Sequence, residues 1–194
     1  MDTSFKIIQP LFEKYMNETN VEFEIRLGKM NAGTFDTDIG EENFNKILHG
    51  LEKYKGWEDI KESNTSVYYK DKLRTTVDEE TDESTTIFKK SITKKNFSLK
   101  DSPYDMRFSV AKEIPCDPSD EEMEGVRTKH RKSFIRKNLS IDMTVVTGDP
   151  TDLDCEEEAR YEVELEIIDP TKVNNRDTLY NIIYKVFDVL KIIS

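Results

Sequence analysis

The sequence predicts a mainly β (α+β) fold, an antiparallel sheet or barrel with helices packed against it. Two observations carry this. Many short strand-like runs, parted by clusters of Asp, Glu, Ser, Gly or Pro, fill the middle of the chain. At either end of that stretch lies a segment of strict alternation: Val21-Glu22-Phe23-Glu24-Ile25-Arg26-Leu27 and Tyr161-Glu162-Val163-Glu164-Leu165-Glu166-Ile167. Successive side chains of a strand point to opposite faces. Glu162, Glu164 and Glu166 therefore share one face, and Tyr161, Val163, Leu165 and Ile167 the other.

The elements follow in order. Residues 3–18 read as a helix, with Phe5, Ile8, Phe12 and Tyr15 in one apolar stripe. Pro10 lacks an N–H, so a break or a restart is expected there. The glutamate strand 21–27 precedes a loop from Gly28 to Gly40. Residues 41–55 form a second helix on Phe44, Ile47, Leu48, Leu51 and Tyr54, with Gly56 just past its end. Strand-like runs follow at 57–61, 65–70, 72–78, 85–92, 105–114, 126–136, 138–146 and 159–168, with turn clusters at Asp78–Ser84 and Pro115–Glu124. The last helix, 174–193, has a wide apolar face that includes Leu179, Ile182, Ile183, Val186 and Leu190.

At 194 residues the chain fits one domain, 1–194. Its stop just after the last helix suits a domain cut from a longer protein. A formal charge of −11, from 29 basic and 40 acidic residues, argues against a general nucleic-acid binder. No apolar run is long enough for a membrane span, and the N-terminus lacks a signal-peptide layout. No membrane partner and an intracellular, non-secreted protein are expected. Cys116 and Cys155 lie in no CxxC motif and near no histidine, so a zinc site is not indicated.

A row of glutamates on a strand is ordinarily a solvated face. Stacked like charges need compensation, however, and other strands carry it. Arg127, Lys129 and Arg131 alternate on one face; Arg107, Ser109, Ala111 and Glu113 on another; Ile87, Lys89 and Ser91 on a third. Arg74 and Asp142 sit in further runs. In a barrel whose apolar rows face outward under the three helices, all these charges line a wet cavity. Carboxylates on one wall suit Mg²⁺ or Mn²⁺. Lys and Arg on the others suit phosphate oxygens. Together they suit phosphoryl transfer.

These stretches, in this order, resemble the triphosphate tunnel metalloenzymes, and more narrowly the metal-dependent RNA 5′-triphosphatases of fungal and large-DNA-virus capping systems. The resemblance rests on Glu22–Arg26, Leu73–Thr76, Phe88–Ile92, Asp105–Ser109, Glu113–Pro115, Arg127–Arg131, Ile141–Thr144 and Tyr161–Ile167, spanning residues 21–168. It implies a closed eight-stranded antiparallel tunnel. It implies hydrolysis of the γ-phosphate of 5′-triphosphate RNA to a 5′-diphosphate end, the first step of mRNA capping, with nucleoside triphosphates as side substrates and one or two Mg²⁺ or Mn²⁺ ions as cofactor. Metal ligands would be Glu22, Glu24 and Glu166, supported by Glu162 and Glu164. Arg74, Lys89, Arg127, Lys129 and Arg131 would hold phosphates. Glu113 would orient water, and Asp142 would support a basic side chain. Arg26 and Arg107 would line the tunnel. Guanylyltransferase and methyltransferase domains of the same polypeptide are the implied partners, and host cytoplasm, viral factory or virion the implied location.

One position departs from the family. Ser140 stands where an arginine is common, so Arg136 or Lys137 substitutes from nearby or the contact is absent. His130 alternates with the basic row and should point away from the tunnel; His49 lies on a helix as a structural or exposed residue. Trp57 and the tyrosines read mostly as packing residues. Two other readings stand: an inorganic tripolyphosphatase or nucleoside triphosphatase of the same fold, and a non-catalytic acidic module that binds cations.

Overall fold

A computed structural model describes residues 2–100, 102–118, 122–155 and 158–194. Helix α1 (Asp2–Tyr15) leads into strand β1 (Val21–Asn31), β2 (Thr34–Asp36) and helix α2 (Glu41–Lys53). Strands β3 (Asp59–Lys70), β4 (Leu73–Asp78), β5 (Ser84–Phe97), β6 (Asp105–Pro115), β7 (Gly125–Arg136), β8 (Leu139–Thr147) and β9 (Arg160–Ile167) follow, and helix α3 (Arg176–Leu190) ends the fold. The strands pair in the order β1-β6-β5-β4-β3-β7-β8-β9, all antiparallel, and β9 returns to β1. Eight strands thus close a barrel, and β2 stands outside, paired only with β1.

The alternation sorts the faces as expected. Phe23, Ile25, Leu27, Met106, Phe108, Val110, Ile141, Met143, Val163 and Leu165 point outward into one core with Phe5, Ile8 and Phe12 of α1, Ile47 of α2 and Ile183 and Val186 of α3. The helices cover only part of the circumference, though. Among the described residues, β3 and β4 contribute nothing to that core. Outward apolar residues such as Ile60, Phe88 and Ile114 stay exposed. Three helices of 13 to 15 residues cannot wrap eight strands.

Several element boundaries differ from expectation. Helix α1 runs unbroken through Pro10. Pro10 is exposed while Phe5, Ile8 and Phe12 are buried, so the backbone group it leaves unbonded lies on the side open to water. The Gly28–Gly40 loop is a β1–β2 hairpin, turning at Ala32 (φ 45°) and Gly33 (φ 89°); positive φ at both central residues suits a tight turn. Runs 57–61 and 65–70 are one strand, β3. Strand β5 extends past 92 to Phe97, with a bulge between Ser91 and Thr93. Helix α3 starts later than expected, capped by Asn175, whose side chain accepts from the Thr178 N–H at 2.8 Å. Residues 119–121 of the Pro115–Glu124 turn cluster lie outside the described residues.

Candidate active site

Register places the charged rows inside the barrel. Glu24 on β1 faces Glu166 on β9, and Arg26 faces Glu164. On the other side Glu24 faces Ser109 and Arg26 faces Arg107, both on β6. Beyond β9, Asp142 and Ser140 of β8 lie opposite Glu164 and Glu166. Arg131 and Lys129 of β7 lie opposite Thr144 and Val146. The β1–β9 contact turns two distant acidic rows into one wall.

Arg26 is the hub of that wall. Its guanidinium lies 2.7 Å from Glu164, 3.2 Å from Glu24 and 3.7 Å from Glu162. Burial opposes its charge, but these three carboxylates outweigh burial and raise its pKa. Glu162 also accepts a 2.7 Å hydrogen bond from the Thr37 hydroxyl. Across the tunnel Arg131 reaches Thr144 Oγ1 at 3.1 Å and both Asp142 and Glu164 at 3.4 Å. Burial pushes the Glu164 carboxyl up, yet Arg26, Arg131 and Lys129 hold it down to about 2.

The remaining carboxylates carry excess negative charge. Burial, then the neighbouring Glu24, push Glu22 up to about 8, against the pull of Lys89. Burial, then Asp142, push Glu166 up to about 7. Lys89 contacts Glu22 and lies 2.7 Å from Glu113. Among the described residues no three carboxylates already converge as a ligand set, because Lys89 holds Glu22 and Arg26 holds Glu24. An all-oxygen donor set in which burial and neighbouring carboxylates raise Glu22 and Glu166 is nonetheless the chemistry a hard divalent cation relieves, so Glu22 and Glu166, with Glu24 facing Glu166, fit one.

Opposite the acidic wall the cations are bare. Among the described residues, no carboxylate lies within 4 Å of Arg74, Lys94, Arg107, Arg127 or Lys129. Burial pushes the Lys129 ammonium down to about 8, although Glu164 pulls it up. Among the described residues, the buried Nε of Arg127 has no hydrogen-bond partner. Arg74 stacks over the Tyr69 ring at 5.5 Å. Cations without a close counter-ion on a tunnel wall are suited to an anionic guest.

At Ser140 neither basic candidate enters the tunnel. Arg136 lies over the Tyr54 ring, 5.3 Å away and exposed, and Lys137 sits exposed in the β7–β8 turn with φ 54°. The arginine contact is absent, and the Ser140 hydroxyl donates to Asp142 at 2.5 Å. His130 points outward, its Nδ1 2.5 Å from Asn64 Oδ1, and His49 is exposed. Trp57 packs outside the barrel against Phe134 and donates to the Leu51 carbonyl at 2.7 Å.

Sequence reading missed Lys94 and Asn96. Continued alternation from Lys89 and Ser91 would turn Thr93 and Lys95 inward. The bulge inserts one residue, so Lys94 pairs with Ser109 and Asn96 with Arg107 on the tunnel face.

The sequence matches the family described as "mRNA capping enzyme, beta chain" over residues 6–182. Among solved structures, the Pct1 RNA triphosphatase of S. pombe superposes with a TM-score of 0.76 at 18% identity, covering 90% of this chain and 81% of Pct1. The RNA triphosphatase domain of the trifunctional mimivirus mRNA capping enzyme superposes with a TM-score of 0.71 at 20% identity, covering 100% of this chain and 97% of that one. No curated protein sequence gives a significant match.

Proposed function

The chain belongs to the mRNA capping enzyme beta-chain family and is an RNA 5′-triphosphatase; from that premise we propose that it removes the γ-phosphate of 5′-triphosphate RNA, leaving a 5′-diphosphate end as the first step of mRNA capping, with one or two Mg²⁺ or Mn²⁺ ions and with nucleoside triphosphates as side substrates. The observation that carries this reading is one tunnel with buried carboxylates on one wall and cations lacking counter-ions on the other.

The family is metal-dependent, and Glu22, Glu24 and Glu166 would hold the cation, which when bound neutralises charge on phosphate oxygens. Lys129, Arg127 and Arg74 take phosphate oxygens directly, since no carboxylate competes for them. Arg131 does so while braced by Asp142 and Glu164. Lys89, between Glu22 and Glu113, links the acidic wall to the phosphates. Glu113 orients a water for in-line attack on the γ-phosphorus. The bond to the β–γ bridging oxygen breaks, and inorganic phosphate and a diphosphate-ended RNA leave.

Because the mimivirus relative is part of a trifunctional capping enzyme, guanylyltransferase and methyltransferase domains are the partners we expect alongside this chain. We expect the reaction inside the cell, in host cytoplasm, viral factory or virion. Among the described residues no helix is long and apolar enough to cross a membrane.

The test compares phosphate release from triphosphate-ended RNA, ATP and tripolyphosphate, with and without Mn²⁺. The reading expects Mn²⁺-dependent release with the highest kcat/KM for RNA. A preference for tripolyphosphate or ATP makes the chain an inorganic or nucleoside triphosphatase. No release under Mg²⁺, Mn²⁺ or Co²⁺ makes it a non-catalytic cation binder.

A further inference from the structure

One end of the tunnel carries a second cationic feature that the phosphate clamp does not use. Strand β4 begins at Leu73, opposite Phe88 of β5, and the Lys89 N–H bonds the Lys72 carbonyl in the turn before it. Beyond that point β5 runs on with β6 alone, from Lys90 to Phe97. Residues 90–97 therefore project past the β3–β4 turn and form part of the tunnel's rim. The bulge at Ser91–Thr93 then turns Lys94 and Asn96 to the inner side of that rim.

Arg107 meets them there. Its Nε donates to Asn96 Oδ1 at 2.8 Å, and its guanidinium lies 4.4 Å from the Phe35 ring. Phe35 comes from the extra strand β2, the one strand outside the barrel. The hairpin and the bulge thus act on the same guanidinium: one stacks on it, the other supplies its acceptor. Among the described residues its NH₂ groups have no hydrogen-bond partner, which leaves them for another ligand. Lys94 is a diagonal neighbour of Arg107 across the β5–β6 ladder and has no carboxylate within 4 Å among the described residues. Partial burial, then Arg107, oppose its charge; Arg26 and Arg74 add to this, and Glu24 offsets it in part. Two neighbouring cations held together without a counter-ion favour an anion between them.

The other end of the tunnel differs. There Lys89 is engaged by Glu22 and Glu113. A polyanion leaving the triphosphate clamp meets carboxylates at that end and bare cations at the Lys94 end.

We propose that Lys94 and Arg107 form a phosphodiester site at the tunnel mouth, which takes the first internucleotide phosphate of the RNA and sets the enzyme's preference for RNA over free triphosphates. This rests on the triphosphatase reading and adds the path by which RNA enters. Lys94, exposed at the rim, supplies a mobile charge; Arg107, fixed by Asn96 and Phe35, supplies direction.

The experiment measures kcat/KM of wild type, K94M and K94R, with Mn²⁺, on a 5′-triphosphate dinucleotide, on ATP and on tripolyphosphate. The dinucleotide holds one phosphodiester and the other two hold none. K94M is expected to lose about tenfold on the dinucleotide relative to ATP and tripolyphosphate, as removal of one charged hydrogen bond does. K94R is expected to restore the ratio. The salt dependence of KM for longer triphosphate RNA should become shallower in K94M, by a slope of about 0.7 for one lost contact to a single strand. Equal loss on all three substrates places Lys94 in the triphosphate clamp and overturns the site. Equal loss on dinucleotide and ATP, with tripolyphosphate spared, makes it a contact to the first nucleoside and also overturns it. Wild-type enzyme that cleaves tripolyphosphate but no triphosphate RNA overturns the function itself, and the mouth site with it.

Discussion

The guanidinium of Arg26 on β1 lies 2.7 Å from the Glu164 carboxylate on β9. These residues are far apart in sequence, and their contact spans the seam where the barrel closes. Arg26 holds Glu24 and Glu162 as well, so removing it leaves several buried carboxylates facing one another. R26M is expected to lose on the order of 3 kcal/mol of stability, as broken buried pairs do. Urea unfolding measures this. A variant as stable as wild type would mean that the seam does not depend on the ion pairs.

Glu24 and Glu166 face each other in register on the acidic wall. E24A and E166A are each expected to reduce Mn²⁺-dependent phosphate release to background while the circular dichroism spectrum stays that of wild type. Normal activity in either variant would remove that residue from the metal site.

Lys129 is the cation whose charge is most easily lost at working pH. Burial lowers its pKa to about 8, so the free enzyme loses this positive charge as pH rises through 8. A bound phosphate favours the charged form. Affinity for a non-hydrolysable triphosphate should therefore weaken as pH passes from 7 to 9, with proton uptake on binding near pH 8. Calorimetry in buffers of different ionisation enthalpy reads both. K129M should bind more weakly at pH 7 and lose this pH dependence.

Glu22 and Glu166 titrate with the opposite consequence. Their folded-state pKa values, about 8 and about 7, lie above the ordinary carboxylate value. Between about pH 4.5 and 8 the folded chain binds more protons than the unfolded one, so stability falls as pH rises through that window. A divalent cation replaces those protons. Without metal the protein should melt at a lower temperature at pH 8 than at pH 6. Mn²⁺ should raise the melting temperature more at pH 8, and its binding should release protons. A melting temperature flat across the window in both conditions would contradict the raised values.

The sequence by itself determined which side chains share a face. Strict alternation at 21–27 and 161–167 separates charged from apolar positions, and at 127–131 sets three basic residues on one face, whatever the strands pair with, because a pleated strand has a period of two. The three helical stripes were legible for the same local reason, as was the outward direction of His130. Tertiary structure decided what local pattern does not contain. The β1–β9 pairing sets Glu24 against Glu166 across more than a hundred residues of chain. The single-residue bulge after Ser91 reverses the faces of all that follows in β5, bringing Lys94 inward where continued alternation would bring Lys95. The three-residue strand β2 was too short to leave a periodic signal. Which charges are neutralised and which are bare also waited on the fold. Arg26 and Lys129 are both basic residues in alternating rows, yet one is ringed by carboxylates and the other has none within 4 Å among the described residues. That contrast follows from distances across the tunnel, which exist only once the barrel has closed.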